Sequence, residues 1–425
     1  MTRRFAPRRT ASLLAALLAC ALVTGCAGSS GSDDPGVARV AGVTFAEARQ
    51  LLDARASAVR RDDLRAFLRG VDPHDHALVA RQRRYFLNLE RLPLATYSLV
   101  AERSQWPTAL RSRSWGPGVL VPQVRVAIQL RGYDAAPVQR VTGFAIARVD
   151  GRPMVVSELT GAGHPYPGFE PAPWDLVRIH VHATPDSLQL YDDVTWHQEP
   201  LVNAVLTSSI TDVARGLPFP WTRHVVVYVF ARRVVLRSYL DVPGGNLELL
   251  GAMTFPMYAV PGQSTVAATR FTLLPSSLQA GRPFLDRIVR HELTHVAVGP
   301  RDDGVPTWMA EGIAEYVGAR DLPEGQRRIA SVALVRARGQ VDAMPASATF
   351  NGPDQAWNYA LAWMACDYVA ATQGEARLWE LMAALHADGA GTSDAAQDPI
   401  VTSVLGFDSH ELARRAARRI QRIYG

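Results

Sequence analysis

His291-Glu292-Leu293-Thr294-His295 places two imidazoles and a carboxylate within five residues. On a helix, positions i and i+4 share a face about 6 Å apart along the axis, so His291 and His295 can converge on one metal ion. Glu292, one step round the helix, can reach a water at such an ion without being a ligand itself. The flanking residues favour a helix: Ile288, Val289, Leu293 and Val296 form an apolar stripe, and Gly299-Pro300 ends it. A chain with 11 histidines yields roughly 0.01 chance occurrences of this pattern, so what completes the coordination decides its meaning.

Structural zinc sites close with four protein ligands, whereas catalytic ones use three and leave a position for water. An extension to HExxHxxGxxH needs Gly at 298 and His at 301; the chain has Val298 and Arg301, so that third ligand is excluded. A carboxylate on a following helix is the other solution. Residues 305–317 (VPTWMAEGIAEYV) fit it, with Pro306 suited to a helix start and Gly318 to a stop. Glu311 and Glu315 stand four apart on one face. Gly312 removes a side chain beside Glu311 and would let the two helices approach closely.

The pair of motifs, HELTH at 291–295 and WMAEGIAEY at 308–316, resembles the gluzincin metallopeptidases and, within them, the peptidase MA-like families. The resemblance spans about residues 175–425 and implies a zincin-like domain with a small mixed sheet, active-site helices and a helical subdomain over 322–425. It implies Zn2+ held by His291, His295 and Glu311, Glu292 as general base, and Glu315 accepting a hydrogen bond from a ligand imidazole. It further implies a tyrosine from a downstream helix as donor to the oxyanion. Tyr359 in AWNYALAW is the candidate, and it reads nearly as well as a core aromatic. By the same likeness, Ala268–Pro275 is expected to be an edge strand that pairs with a peptide or protein substrate. Two departures matter. Ala310 stands where related aminopeptidases carry Asn, and Thr254 in GAMTF stands where their GxMEN segment carries the Glu that holds a free amine. The missing amine anchor at Thr254 argues for an endopeptidase over an aminopeptidase.

The elements that must position these groups follow from periodicity. Phe45–Val59, Leu64–Leu68 and His76–Leu89 have helical spacing. Residues 124–130 alternate apolar with polar, Val141–Val149 is a further strand, and Asp150-Gly151 is a hairpin turn before Pro153–Glu158. Helices followed by an antiparallel meander predict an α+β unit over 41–160, whose element order resembles the cystatin-like cone of the NTF2 superfamily. Residues 161–174, rich in Gly and Pro, mark the expected boundary with the domain at 175–425. There, Val177, Ile179 and Val181 suggest a strand with one apolar face, Leu201–Val213 a helix, and Val225–Phe230 a strand buried on both faces. The fold class expected for the whole chain is α+β.

Residues 1–26 read as an address. Four arginines precede Ala11–Val23, an apolar run of 13 residues that is too short to span a bilayer, which needs about 20. Val23-Thr24-Gly25-Cys26 resembles a bacterial lipobox, which implies cleavage before Cys26, diacylglycerol on its sulfur and a lipid-anchored, extracytoplasmic protein. Residues 27–40 would then be a polar tether. Cys20 leaves with the signal, so Cys366, in an apolar helix, is the one cysteine not spoken for and reads as a buried hydrophobe. Every basic side chain among the 45 is Arg. Without the four in the signal the balance is 41 basic against 40 acidic groups, which excludes an electrostatic footprint for nucleic acid. The rival to a peptidase is a surface lipoprotein that binds a ligand or partner through its cone domain, with the zincin fold as an inactive platform. His180 and His182, on one strand face, read as solvated, because no carboxylate stands beside them in sequence.

Overall fold

The computed structural model describes residues 42–103, 118–159, 171–239, 251–323, 327–388 and 394–425. The expected signal, Cys26, the tether and residues 161–170 of the expected boundary lie outside these. The fold is mixed α+β, with an antiparallel sheet, a mixed sheet and a helical C-terminal region, as the sequence predicts. Among the described residues no helix is long and apolar enough to cross a membrane.

The first unit holds helices α1 (Phe45–Arg60), α2 (Leu64–Leu68) and α3 (His76–Glu90). Thr44 and Glu47 cap α1 reciprocally, and Asp63 and Asp75 accept backbone N–H groups at the starts of α2 and α3. Strands β1 (Leu94–Glu102), β2 (Gln123–Leu130), β3 (Val138–Val149) and β4 (Arg152–Glu158) follow as an antiparallel meander in that order. Asp150 and Gly151, both at positive φ, turn β3 into β4 as expected.

The short helix α4 (Pro173–Leu176) comes next. It occupies the end of the expected linker, and it is packed rather than free. Trp174, Leu176 and Val177 are buried in the first unit's core, Arg140 pairs with Asp175, and Asn88 donates to the Trp174 and Val177 carbonyls at 2.8 and 2.7 Å. Ordering the linker end this way takes Val177 and Ile179 out of the expected strand, which starts at β5 (His180–Ala183).

Beyond β5 come β6 (Ser187–Tyr191), α5 (Glu199–Gly216), β7 (Val225–Val229), α6 (Arg233–Tyr239), β8 (Ala252–Tyr258) and β9 (Val266–Leu273). They form one sheet in the order β5-β6-β7-β9-β8, parallel through β6, β7 and β9, with antiparallel edges. Ala268–Pro275 is therefore not an edge. Residues 266–273 sit between β7 and β8, and β8 takes the outer position. The correction has a simple cause. Ala267, Ala268, Phe271 and Leu273 are buried because both faces of the strand are covered, as suits a parallel interior strand.

The two faces of this sheet serve different partners. Val225, Val227, Val229, Phe271 and Leu273 belong to the core that holds α5 and the C-terminal helices. Leu188, Leu190, Val226, Tyr228 and Phe255 join the core of the first unit. The two expected domains thus share a continuous interior. The turn between β2 and β3 docks on the sheet: Ala135 N–H donates to the Ala267 carbonyl at 2.9 Å, and Asp134 forms a buried ion pair with Arg270 of β9. We expect Arg270→Met to destabilise the chain by about 3–5 kcal/mol in urea unfolding, because it strands the Asp134 carboxylate, and the double variant with Asp134→Asn to recover much of that loss. Equal stability of Arg270→Met and the parent would contradict this.

The remaining helices are α7 (Pro275–Gln279), α8 (Arg282–Val298), α9 (Thr307–Arg320), α10 (Ser331–Ala337), α11 (Gln355–Gln373), α12 (Glu375–Asp388), α13 (Asp394–Leu405) and α14 (Ser409–Tyr424). Asp408 caps α14 by accepting from the Glu411 N–H at 2.8 Å.

Candidate metal centre

Helix α8 begins after Gly281, at φ +89°, and ends at Gly299, at φ +53°. Leu285, Val289 and Leu293 are fully buried in the core shared with α5, while Ile288 and Val296 are half-buried. This stripe fixes the rotation of α8 and turns His291 and His295 toward α9. Helix α9 returns after a short turn, Gly299–Asp302, and presents Glu311 and Glu315 to α8.

The glycines of α9 act differently from expectation. A Cβ at Gly312 would stand 2.6 Å from the Ala362 carbonyl oxygen and 2.7 Å from Cys366 Sγ, so Gly312 seats α9 against α11 and not α8. Gly318, expected as a stop, lies inside the helix. A Cβ there would meet the Arg287 carbonyl oxygen at 3.0 Å and the His291 nitrogen at 3.4 Å, so Gly318 is what brings α9 onto α8. Cys366 is buried, and burial pushes its thiol up, which keeps it inert.

Three buried donor atoms form a nearly regular triangle. His291 Nε2 and His295 Nε2 are 3.3 Å apart, and Glu311 Oε2 lies 3.3 and 3.4 Å from them. A tetrahedral ion bound at about 2.0–2.1 Å has ligand–ligand edges of about 3.3–3.4 Å, so the triangle matches one face of such a tetrahedron. Among the described residues this His291, His295, Glu311 group is the set that could hold a metal ion. Two imidazoles with one carboxylate suit a first-row transition ion and not the all-oxygen shells of Ca2+ or Mg2+.

Each imidazole has a carboxylate behind it. His291 Nδ1 lies 3.3 Å from Glu315 Oε1, within reach although the direction falls short of a well-formed hydrogen bond. His295 Nδ1 lies 3.8 Å from Asp302 Oδ2, in the turn between the helices. Burial works against a charged imidazole at His291, yet the neighbouring Glu311 and Glu315 carboxylates raise it to about 10. Burial works against the Glu315 charge too, and Arg287 with His291 holds that carboxyl down at about 2. An ion entering the cluster must therefore compete with a proton for His291.

Glu292 is 4% exposed and accepts from the Thr254 hydroxyl at 2.5 Å. Thr254 sits on the edge strand β8, which places that strand beside the carboxylate. Tyr359 of α11 packs its ring 6.3 Å from that of His291 and 5.0 Å from that of Phe350, and its hydroxyl donates to Asn351 Oδ1 at 3.3 Å. Burial, then the Glu311, Glu315 and Glu292 charges, push its phenol well above the ordinary tyrosine range. Tyr359 is thus a neutral phenol beside the cluster, packed as an aromatic and with its hydroxyl turned to Asn351.

Sequence reasoning brought together His291, Glu292, His295, Glu311, Glu315 and Tyr359. It missed Asp302 and Arg287, and it noted Thr254 only for the residue that is not there. Asp302 had one signal: a carboxylate in a turn too short to leave the cluster. His180 and His182 do meet carboxylates, Asp193 at 2.7 Å and Glu199 at 3.1 Å, but each pairs separately. No family model matches this chain, and no curated protein matches it.

Proposed function

We propose that the chain is a zinc-dependent metallopeptidase of gluzincin type, an endopeptidase that hydrolyses peptide bonds in a peptide or protein substrate. The observation that carries this reading is the His291–His295–Glu311 triangle, with its tetrahedral edge lengths, beside the buried carboxylate of Glu292. When bound, zinc would supply a Lewis acid and a water acidified to a pKa of about 7. Glu292 accepts the proton of the attacking water and passes it to the leaving nitrogen. Thr254, through its hydroxyl, fixes the rotation of that carboxylate. Tyr359 offers its O–H to the oxygen that gains charge in the tetrahedral intermediate, where loss of one donor typically costs about 2.7–4 kcal/mol. Thr254 brings no negative charge to hold a free amine, which supports cleavage within a chain. Strand β8, the outer strand of the sheet in place of β9, is the one offered to substrate backbone.

The test is incubation of the zinc-loaded chain with a diverse peptide library, followed by mass spectrometry. Chelator-sensitive cleavage at internal bonds is expected. A fully zinc-loaded protein that cuts nothing would remove the catalytic half of the reading. The same proposal places the chain outside the cytoplasm, anchored through a lipid on Cys26. Labelling with a fatty-acid analogue that persists in Cys26→Ser would contradict that placement.

One observation favours the rival reading of a ligand-binding lipoprotein. A cleft of about 420 Å³ in the first unit is lined by Leu51, Ala54 and Ala66 together with Ser57, Arg61 and Arg69. It lies away from the metal-type cluster, and a small anion bound there with no zinc-dependent hydrolysis would favour the rival.

A further inference from the structure

We infer that Arg287 is a positioning residue for the metal-type site, acting on His291 through Glu315. The inference rests on the reading above only in that an ion must occupy the cluster. Four carboxylates, Glu292, Glu311, Glu315 and Asp302, surround two imidazoles in a region where the most exposed of these side chains, that of Glu315, is 13% accessible. A divalent ion leaves this group net negative. Arg287, one turn before His291 on α8, is the arginine that pairs with one of the four.

The geometry divides the Glu315 carboxylate between two duties. Its Oε2 accepts from Arg287 Nη2, and its Oε1 faces His291 Nδ1 at 3.3 Å. The guanidinium is itself held on further sides: Nη1 donates to the Arg328 carbonyl at 2.9 Å, and its carbon stands 4.3 Å from the Trp363 ring centroid on α11. A guanidinium held by Glu315, the Arg328 carbonyl and the Trp363 ring keeps its donor to Oε2 in one place, which a freely rotating ammonium does less well. Without Arg287, Glu315 is left beside Glu311 and Glu292, and like-charge repulsion turns it toward its exposed side. His291 Nδ1 then loses the carboxylate that it faces at 3.3 Å, the contact that holds its ring and keeps Nε2 basic.

Positioning and bare charge make opposite forecasts. A cation that acted only by its charge would repel the ion, so its removal would tighten binding. A positioning residue loosens binding when removed. The experiment measures the zinc dissociation constant of the full chain by competition with a chromophoric chelator, together with the visible spectrum of the Co2+ form. Arg287→Met is expected to weaken zinc binding about tenfold and to alter the Co2+ bands, and Arg287→Lys to weaken it by less. Should Arg287→Met fail to fold, Arg287→Lys, which keeps the charge, carries the test by the same criterion of weaker binding than the parent. Unchanged or tighter binding in a folded variant overturns the inference while leaving the peptidase reading intact. Absence of zinc binding by the parent chain would instead remove both.

Discussion

Glu292→Gln is expected to lower peptide-bond hydrolysis by about 10²–10⁴-fold with the metal content unchanged. The amide keeps the shape of the side chain and can still accept from the Thr254 hydroxyl, so the buried surroundings need not rearrange. What it loses is the ability to take a proton from water and return it to the leaving nitrogen. Both transfers belong to the transition state. The loss should therefore fall on kcat and kcat/KM together, with little change in KM. Steady-state kinetics on one cleaved peptide, with zinc quantified on the same samples, checks this. Full activity in the variant would mean that another group is the base.

Glu311→Ala is expected to abolish tight metal binding and activity together. The carboxylate supplies one corner of the donor triangle, and among the described residues no other group joins the two imidazoles as a third ligand. The effect should appear in stability as well. An ion held by the native chain at about 1,000 times its dissociation constant adds about 4 kcal/mol. A chelator should then lower the unfolding midpoint of the parent and leave that of Glu311→Ala unmoved. Glu311 also partners the raised His291 imidazole when no ion is bound, so the two proteins must be compared against their own metal-free forms. A chelator-induced shift of equal size in both would show that the stabilising ion sits elsewhere.

The parts of this site that could be read from sequence are those with short-range geometry. His291 and His295 share a face by helical period, as do Glu311 and Glu315, and the buried Val289 and Leu293 orient the first pair. Helices α1 to α3 and the β3–β4 turn were legible for the same reason, being set by caps, stripes and a two-residue turn. Contacts made across the fold were not. Asp302 and Arg287 carry no pattern that distinguishes them from solvated charges until α9 has folded back on α8. The order of strands was illegible because β9 and β8 are both short and apolar, and which of them is covered depends on β7. Strands β1, β6 and β8 went unmarked. In β6, Gln189 interrupts the apolar pattern, yet it is fully buried and bonded to Ser187 and Asn203. The shared interior of the two units was hidden by the Gly- and Pro-rich segment before α4. Composition of that kind marks a turn in the chain but says nothing of whether the halves it joins remain apart.

X-ray absorption at the zinc edge of the full chain, purified from metal-replete cells, probes the ligand set itself. One zinc per chain is predicted, in a shell of nitrogen and oxygen at about 2.0–2.1 Å that carries the scattering signature of two imidazoles. A chain free of zinc, or a shell containing sulfur at about 2.3 Å, would contradict coordination by His291, His295 and Glu311.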